Sequence, residues 1–347
     1  MQPLNSDPLG RYARQMRVPQ MGRSGQEALR DARVLLVGCG ALGTPIADLL
    51  VRAGVGFLRI ADRDLVELTN LQRQTLFDER DARESWPKAE AAARRLREVN
   101  GAVEIEACVR DVGADELEEL ARDVDLLLDG TDNFETRYLL NDFAVRAGKP
   151  WIYGGAVADH GLEMAVIPGR TACLRCIFPE PPSAGGSETC ETAGVLGPLT
   201  ALIAALQASD ALKILSGHPE AITSELLQVE LWSRRVQALR IPRQADCACC
   251  SRGEFPYLEG AAATTRAESL CGRNTVQLRP APHARLDLEA LSARLAREGI
   301  ACEHSRFWLR FRAEELELTA FPDGRMLVHG TDEPARARSF YSRWFGS

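Results

Sequence analysis

A glycine-rich turn at residues 38–43 offers the clearest chemistry in this chain. It follows a continuous aliphatic run and has the pattern Gly38-x-Gly40-x-x-Gly43. A buried strand, a glycine turn and a helix form a cradle in which backbone amides bind nucleotide phosphates. Asp62 ends the next aliphatic run, where a carboxylate is placed to bind a ribose hydroxyl. The pattern predicts a nucleotide site, but dehydrogenases and nucleotide-transfer enzymes share it.

Positively charged residues around this turn favour a triphosphate. Arg73 and Lys88 follow Asp62, and Arg11 and Arg14 precede the turn. Transfer at a phosphorus centre needs positive charge on the equatorial oxygens, whereas backbone amides hold most of a dinucleotide's pyrophosphate. Each of these cations alone is more often a solvated surface charge. Together they indicate ATP.

Two aspartates follow the fourth apolar run. Asp129 ends that run, and Asp132 lies in the turn after it. Carboxylates are hard-oxygen ligands that suit Mg²⁺ bridging phosphates. Asp132 has an alternative role, because it precedes a predicted helix that starts at Asn133 and would cap it. The sequence leaves both roles open, one for each aspartate.

Four cysteines occur in two pairs with metal-ligand spacing. Cys173 and Cys176 form one pair, and Cys247 and Cys250 form the other. Four thiolates suit tetrahedral zinc with no open position, so the pairs predict a structural zinc clamp rather than a catalytic metal. Disulfides or redox activity are the alternatives. Cys249 is an extra cysteine that leaves the choice of ligands in the second pair ambiguous.

Cys190 lies near the end of a Pro- and Gly-containing stretch, residues 179–194, that we expect to be a mobile loop. A thiol near the start of a helix can act as a nucleophile. Glu188 and Glu191 flank it and disfavour the thiolate. A catalytic thiol and a spare thiol are therefore both open.

Alternating strands and helices must position these residues. The alternation predicts a doubly wound, mostly parallel, Rossmann-like sheet of the α/β class. Ligands bind beyond the carboxyl ends of such strands, where Gly38, Asp62 and residues 129–132 should meet. The predicted strands are 33–38, 57–61, 103–107 and 124–128, and the predicted helices are 44–52, 87–99, 115–122 and 133–147.

The pattern changes after residue 150. Extended segments at 164–167, 226–231 and 236–241 surround a predicted helix at 199–216. The chain after the last cysteine pair predicts a small α+β module at 255–347. Its predicted strands are 274–278, 308–311, 316–321 and 326–328, and its predicted helices are 286–298 and 334–344.

The composition is that of an ordinary globular protein, with 45% hydrophobic and 26% charged residues. The net charge of −7 argues against a nucleic-acid partner. The N-terminal residues lack the apolar core of a secretory signal, so we expect a cytoplasmic protein. The uncharged run at 192–209 approaches the length of a membrane span, but its polar and glycine residues favour a buried helix over a membrane segment.

Taken together, these motifs resemble the ThiF/MoeB/HesA family of adenylyltransferases, bacterial relatives of ubiquitin-activating enzymes. The resemblance extends from about residue 11 to residue 250. It rests on the order and spacing of several motifs and both cysteine pairs. These motifs are residues 11–15, 38–43, 62–64, 70–74, 87–88 and 129–133.

The resemblance implies a role for each of these residues. Asp62 would bind the ribose, Asn70, Arg73 and Lys88 the phosphates, and Asp132 the Mg²⁺. Arg14 would reach into the site of a partner subunit, which makes a homodimer the catalytic unit. Cys190 matches a cysteine linked to acyl or sulfur transfer. Further residues implied to line the nucleotide pocket are Gly38, Gly40, Ala41, Gly43, Asp64, Gln74 and Asn133.

The resemblance also implies an activity and a domain arrangement. An adenylation domain at 1–254 would comprise a nucleotide-binding half at about 11–150 and a carrier-binding and zinc half at about 151–254. It would use ATP and Mg²⁺ to adenylate the C-terminal glycine of a ubiquitin-fold sulfur carrier. A cysteine desulfurase or rhodanese would donate sulfur. The sequence does not choose among the thiamin, molybdopterin and related pathways.

Three other functions remain open from the sequence. The chain could adenylate a ribosomal peptide for natural-product synthesis. An NAD-dependent oxidoreductase and an inactive carrier-binding scaffold are alternatives of a different class, which nicotinamide reduction and ATP-independent carrier binding would reveal.

Overall fold

The computed structural model describes residues 8–181, 193–259, 267–270, 274–278, 286–313 and 315–345. The chain divides into two compact units, Met1–Glu259 and Gly260–Ser347. Cys190 and most of the expected loop at 179–194 lie outside the described residues.

The first unit is built on an eight-stranded sheet with the order β3-β2-β1-β4-β5-β6-β7-β8. The strands from β3 to β5 in this order are parallel, and β6 to β8 continue the sheet antiparallel. The prediction of a mostly parallel, doubly wound sheet is confirmed. The strands are β1 (Arg33–Val37), β2 (Phe57–Ala61), β3 (Glu104–Cys108), β4 (Leu126–Asp129), β5 (Trp151–Val157), β6 (His160–Val166), β7 (Glu225–Glu230) and β8 (Arg235–Arg240).

Helices cover the two faces of this sheet. Leu36, Leu128 and Ile46 belong to one apolar cluster, and Leu35, Leu127 and Tyr138 belong to a second. Alternate strand residues thus face opposite layers, as strand geometry requires. The helices are α1 (Gly22–Asp31), α2 (Gly43–Ala53), α3 (Glu79–Arg83), α4 (Lys88–Val99), α5 (Ala114–Leu120), α6 (Phe134–Ala147), α7 (Leu174–Ile177) and α8 (Gly197–Leu215).

Among the described residues, α8 is the one helix long and apolar enough to cross a membrane. It packs on β5 and β6, and Leu199, Ile203 and Ala211 are fully buried within the unit. The interpretation of this run as a buried helix agrees with that packing.

The second unit has a six-stranded antiparallel sheet in the order β11-β12-β13-β14-β10-β9. Leu291 and Leu295 of a helix pack with Val276 and Leu318 of the sheet in one apolar core. The predicted α+β class is confirmed. The elements are β9 (Ala267–Leu270), β10 (Thr275–Leu278), α9 (Leu288–Arg297), β11 (Cys302–His304), β12 (Leu309–Ala313), β13 (Leu316–Ala320), β14 (Met326–His329) and α10 (Pro334–Phe345).

Candidate nucleotide site and cysteine cluster

The turns after β1 and β4 touch through their glycines. Gly38 has a φ of +88°, and a Cβ there would lie 2.6 Å from the carbonyl carbon of Gly130. A Cβ on Gly43 would lie 2.1 Å from the Gly38 oxygen. Any side chain at these positions would separate the two turns or push α2 off the sheet. Gly38 and Gly43 are thus required by the fold itself.

Gly40 is different, because a Cβ there would meet only ordinary contacts. Its nearest neighbours would be Gln74 Nε2 at 3.7 Å and the Gly130 oxygen at 3.9 Å. The fold therefore does not explain this glycine, whereas close approach of a bound phosphate would. Gln74 is buried, and its Oε1 has no hydrogen-bond partner. The unpaired Gln74 Oε1 lies near Gly40, where there is room for a ligand. A bound ligand with a hydrogen-bond donor would therefore satisfy this buried oxygen.

Asp62 is buried at the end of β2, next to the glycine turn. Its Oδ2 accepts a hydrogen bond from the Cys39 amide at 2.6 Å, and its Oδ1 accepts one from the Asp64 amide at 2.7 Å. Burial raises the pKa of Asp62, and the nearby Lys88 ammonium opposes that effect. Two backbone donors hold the carboxylate in one orientation and leave it lone pairs for a ribose hydroxyl.

Lys88 begins α4 and is 5% exposed. Its Nζ donates a 2.8 Å hydrogen bond to Asp64 Oδ2. Burial lowers the pKa of this ammonium, but the carboxylates of Asp64 and Asp62 outweigh it and raise the pKa above its ordinary value. Asp132 contributes in the same direction. The Lys88 ammonium is therefore a buried positive charge beside the glycine turn.

Asn70 and Arg73 lie on a short 3₁₀ segment, Leu68–Asn70, and just after it. Asn70 is buried, and its Oδ1 accepts from the Glu67 amide at 3.0 Å. Arg73 donates from Nη1 to the Thr69 carbonyl at 2.9 Å. The Gln74 amide in turn donates to the Asn70 carbonyl. This compact turn presents Arg73 and Gln74 beside one another.

Asp129 belongs to a buried hydrogen-bond network that was not predicted from the sequence. Its Oδ2 accepts from Arg137 Nε at 3.1 Å, and its Oδ1 accepts from the Thr131 hydroxyl at 2.7 Å. Arg137 also donates to the Gly154 carbonyl, and Gln207 Nε2 donates to the Asp129 carbonyl at 2.8 Å. Burial raises the pKa of Asp129, and the Arg137 guanidinium opposes that effect. The interpretation of Asp129 as a magnesium ligand is wrong, because Arg137 already neutralises it.

The helix cap at the start of α6 is Asn133, not Asp132. Asn133 Oδ1 accepts from the Thr136 amide at 2.8 Å. The alternative role of Asp132 as cap is therefore wrong. Within the part of the chain that the structure describes, the exposed Asp132 carboxylate makes no hydrogen bond or ion pair. It is free to bind a cation, whereas the side-chain oxygen of Asn133 is already used.

The two N-terminal arginines differ in their surroundings. Arg11 donates to Asn100 Oδ1 and to the Val99 carbonyl, at the C-terminal end of α4. Lys88 lies at the opposite end of that helix, so Arg11 does not contribute to the nucleotide site. Arg14 is exposed, and its side chain has no hydrogen-bond or ion-pair partner among the described residues. Within the described part of one chain, no side-chain hydrogen bond or ion pair joins Arg14 to the other predicted site residues.

Four cysteines form a cluster on the face of the sheet that carries α6. Their ligand atoms all lie within 4.8 Å of one another. The Sγ atoms of Cys173 and Cys176 are 3.9 Å apart, Cys173 and Cys247 are 3.6 Å apart, and Cys176 and Cys250 are 3.5 Å apart. Thiolates around a tetrahedral zinc lie about 3.8 Å apart, far beyond a disulfide. The distances in the cluster therefore fit a metal ion bound by four thiolates.

Cys249 lies outside this cluster. It is fully buried, and its Sγ accepts from Asn141 Nδ2 at 3.3 Å. The geometry thus separates Cys250, a member of the cluster, from its neighbour. Cys190 lies outside the described residues, so its place relative to the nucleotide site stays a prediction.

The comparisons agree with this geometry. A model of the ThiF family matches residues 12–250.

The chain belongs to the ThiF family.

Among its relatives in the ThiF family, the chain is 43% identical over 339 residues to the sulfur carrier protein ThiS adenylyltransferase of Bacillus subtilis (strain 168). The match covers 97% of this chain and 99% of that protein, so it includes the second unit. The sulfur carrier protein adenylyltransferase of Thermus thermophilus is 40% identical over 248 residues, with 70% of this chain and 90% of that protein covered. A crystal structure of E. coli MccB with MccA-N7isoASN has a TM-score of 0.62 and 23% identity, covering 71% of this chain and 76% of that chain. At this identity the likeness concerns the fold alone.

Arg137 and Gln207 were not predicted from the sequence, because their roles depend on side-chain contacts that the fold creates. A signal for each was nonetheless present. Arg137 precedes the apolar run 138–140 within a helix, and Gln207 interrupts the otherwise apolar run 201–208. A polar residue on a buried helix face must have a partner, and here both partners lie on β4 and its turn.

Proposed function

We propose that this chain uses ATP to adenylate the C-terminal glycine carboxylate of a ubiquitin-fold sulfur-carrier protein. The observation that carries the proposal is the buried ammonium of Lys88, framed by Asp62 and Asp64 beside an open glycine turn. Family membership, and relatives named as adenylyltransferases of sulfur carriers, supply the substrate class.

The reaction transfers AMP to the carrier. A carboxylate oxygen of the terminal glycine attacks the α-phosphorus, the new oxygen–phosphorus bond forms, and pyrophosphate leaves with the electrons of the broken bond. The carboxylate is ionised at neutral pH, so no general base is required. The site must align the two reactants and stabilise the charge that develops on the phosphate oxygens.

Several residues would divide this work. Asp62 binds the ribose, and the backbone around Gly40 and Ala41 approaches the phosphates. Lys88 and Arg73 place positive charge on the phosphate oxygens, with Asn70 and Gln74 as polar neighbours. Because Lys88 is already desolvated, its attraction for a developing negative charge is stronger than that of an exposed lysine.

Magnesium would be held by Asp132, whose carboxylate has no internal partner among the described residues. When bound, the cation neutralises phosphate charge and orients the leaving pyrophosphate. Asn133 keeps the turn beside it in place through its cap. Zinc would be held by Cys173, Cys176, Cys247 and Cys250, as a closed structural clamp between two segments that are distant in sequence.

The active form is a homodimer in this proposal. The side chain of Arg14 is exposed and has no partner within the described part of its own chain, which suits a residue that completes the site of a second copy. The Cys190 thiolate attacks the carbonyl of the acyl adenylate and forms a thioester as AMP leaves, or it takes the outer sulfur of a donor persulfide as the donor's thiolate leaves. A cysteine desulfurase or rhodanese supplies that persulfide sulfur. We place the enzyme in the cytoplasm.

The test is exchange of labelled pyrophosphate into ATP with purified candidate carriers. We expect exchange with an intact carrier and none with a matched carrier that lacks its terminal Gly-Gly. Exchange that proceeds equally without any carrier contradicts the proposal. A peptide substrate serves as a further arm, since exchange with the peptide but not with carriers would favour the peptide-activating alternative.

A further inference from the structure

Arg63 follows Asp62 at the end of β2, and its guanidinium is held on two sides. Nη1 lies 3.1 Å from both carboxylate oxygens of Asp111, and Nε lies 3.8 Å from Asp64 Oδ1. Asp111 is fixed in turn, because its Oδ1 accepts from the Val112 amide at 3.1 Å. The guanidinium has therefore lost most of its conformational freedom before any ligand binds.

The order of phosphates, ribose and base in a nucleotide indicates which of these groups would lie beside the Arg63–Asp111 pair. The phosphates belong at the turn after β1, and the ribose belongs at Asp62 on the neighbouring strand. The base must continue in the same direction, toward β3. The Asp62 amide donates to the Cys108 carbonyl at the end of β3, and Asp111 lies just beyond that residue. The Arg63–Asp111 pair therefore lies where the base would bind.

Because Arg63 and Asp111 form an ion pair, a ligand would use the planar face of the Arg63 guanidinium more than its charge. Asp111 neutralises the guanidinium, so the pair attracts a phosphate only weakly. The Arg63 side chain nevertheless keeps 24% of its surface exposed, compared with 21% for Asp111. A guanidinium with a fixed plane stacks well on an aromatic ring.

We propose that Arg63, held by Asp111, stacks on the adenine ring of ATP and is a specificity-determining residue for the nucleotide. This inference rests on the proposed function, since ATP is the substrate there. It assigns recognition of the base to the two charged segments that follow β2 and β3, and leaves the phosphates to Lys88 and Arg73.

Binding of ATP and of inorganic tripolyphosphate, measured by isothermal titration calorimetry on the full chain, tests the inference. Tripolyphosphate has no base, so it reports on the phosphate end alone. We expect Arg63→Ala to weaken ATP binding about tenfold and to leave tripolyphosphate binding unchanged. Arg63→Lys keeps a cation beside Asp111 but has no planar face, so it should weaken ATP binding similarly. Arg110→Ala is the matched control, because Arg110 is adjacent to Asp111 in sequence but pairs with Glu119.

Three results would overturn the inference. These are an unchanged ATP affinity in Arg63→Ala, an equal loss for ATP and tripolyphosphate, and full ATP affinity in Arg63→Lys. Thermal unfolding of each variant identifies a loss caused by misfolding, and Arg63→Lys retains the ion pair that Arg63→Ala removes. An unaltered chain that binds no ATP would contradict the proposed function and this inference together, whereas an effect missing only in the variants contradicts this inference alone.

Discussion

Lys88 and Asp64 form a 2.8 Å hydrogen bond in which the ammonium is almost fully buried and the carboxylate is partly exposed. The pair places the Lys88 ammonium at the nucleotide site, and the Asp64 carboxylate balances its charge. When a phosphate arrives, the ammonium has further donors to offer while Asp64 still orients it. The arrangement is thus preorganised for a negatively charged ligand.

Replacing Lys88 tests this arrangement. Lys88→Met keeps most of the side-chain volume but removes the charge, so we expect carrier-dependent pyrophosphate exchange to fall by about a hundredfold or more. Lys213→Met is the control, since Lys213 is a half-exposed lysine paired with Asp210 on α8. Equal exchange rates in the two variants would contradict the role of Lys88.

Asp132 and Asn133 are adjacent residues with separable roles. We expect Asn133→Ala to lower the free energy of unfolding by about 1 kcal/mol through loss of the α6 cap, with most of the exchange activity retained. Asp132→Asn should leave stability unchanged and abolish magnesium-dependent exchange. Thermal unfolding and exchange assays on both variants check the pair. The reverse pattern would show that Asp132 supports the helix instead.

The cysteine cluster predicts which thiols hold zinc. Cys250→Ser should lose the bound metal and lower the unfolding temperature, because one of four ligands is removed. Cys249→Ser is the matched variant one residue away and should keep one zinc ion per chain. Metal content measured by mass spectrometry decides between them. Loss of zinc from Cys249→Ser with retention in Cys250→Ser would mean that the two residues exchange roles.

Glu163 predicts a pH dependence of stability. It is buried on β6 with Oε1 unpaired, and the groups that face it from α8 are Asp210 and Lys213. Burial, with a smaller effect from Asp210, raises the pKa of Glu163 from 4.5 to about 8. The folded chain binds the Glu163 proton more tightly than the unfolded chain does. The contribution of this proton to the free energy of unfolding is therefore fully present below pH 4.5 and is lost as the pH rises to about 8.

Glu163→Gln removes that titration. Relative to the unaltered chain, the variant should gain stability between pH 4.5 and pH 8 by at most about 1.4 kcal/mol per pH unit. Thermal unfolding across this range measures the difference, and the exposed Glu98→Gln serves as control. A constant difference between variant and parent would show that Glu163 does not titrate there.

Strands β1 to β4 were predictable because each is a short run, rich in apolar residues, between helices. Strand β2 falls on its predicted residues, and β1 and β4 lie within a few residues of theirs. Strand β5 was missed, since Gly154 and Gly155 weaken the strand pattern. Gly154 is explained only by a distant contact, because a Cβ there would lie 2.3 Å from Gln207 Oε1.

The site was predictable where neighbours in sequence are neighbours in space. Asp62 follows its strand and meets the glycine turn, as the parallel order requires. The commitment of Asp129 to Arg137, of Asn133 to the cap and of Arg11 to the far end of α4 could not be read from spacing, because each depends on which way a side chain points. A charged residue near a motif is therefore a weak indicator of a ligand-binding residue until the partners of its side chain are known.

The most direct test of carrier adenylation is the intact mass of a candidate carrier after incubation with this chain, ATP and Mg²⁺ in the absence of a sulfur donor. We expect a carrier that has gained one AMP at its terminal glycine, with loss of that product in Lys88→Met and Asp132→Asn. A carrier of unchanged mass under conditions in which the chain binds both ATP and the carrier would contradict this expectation.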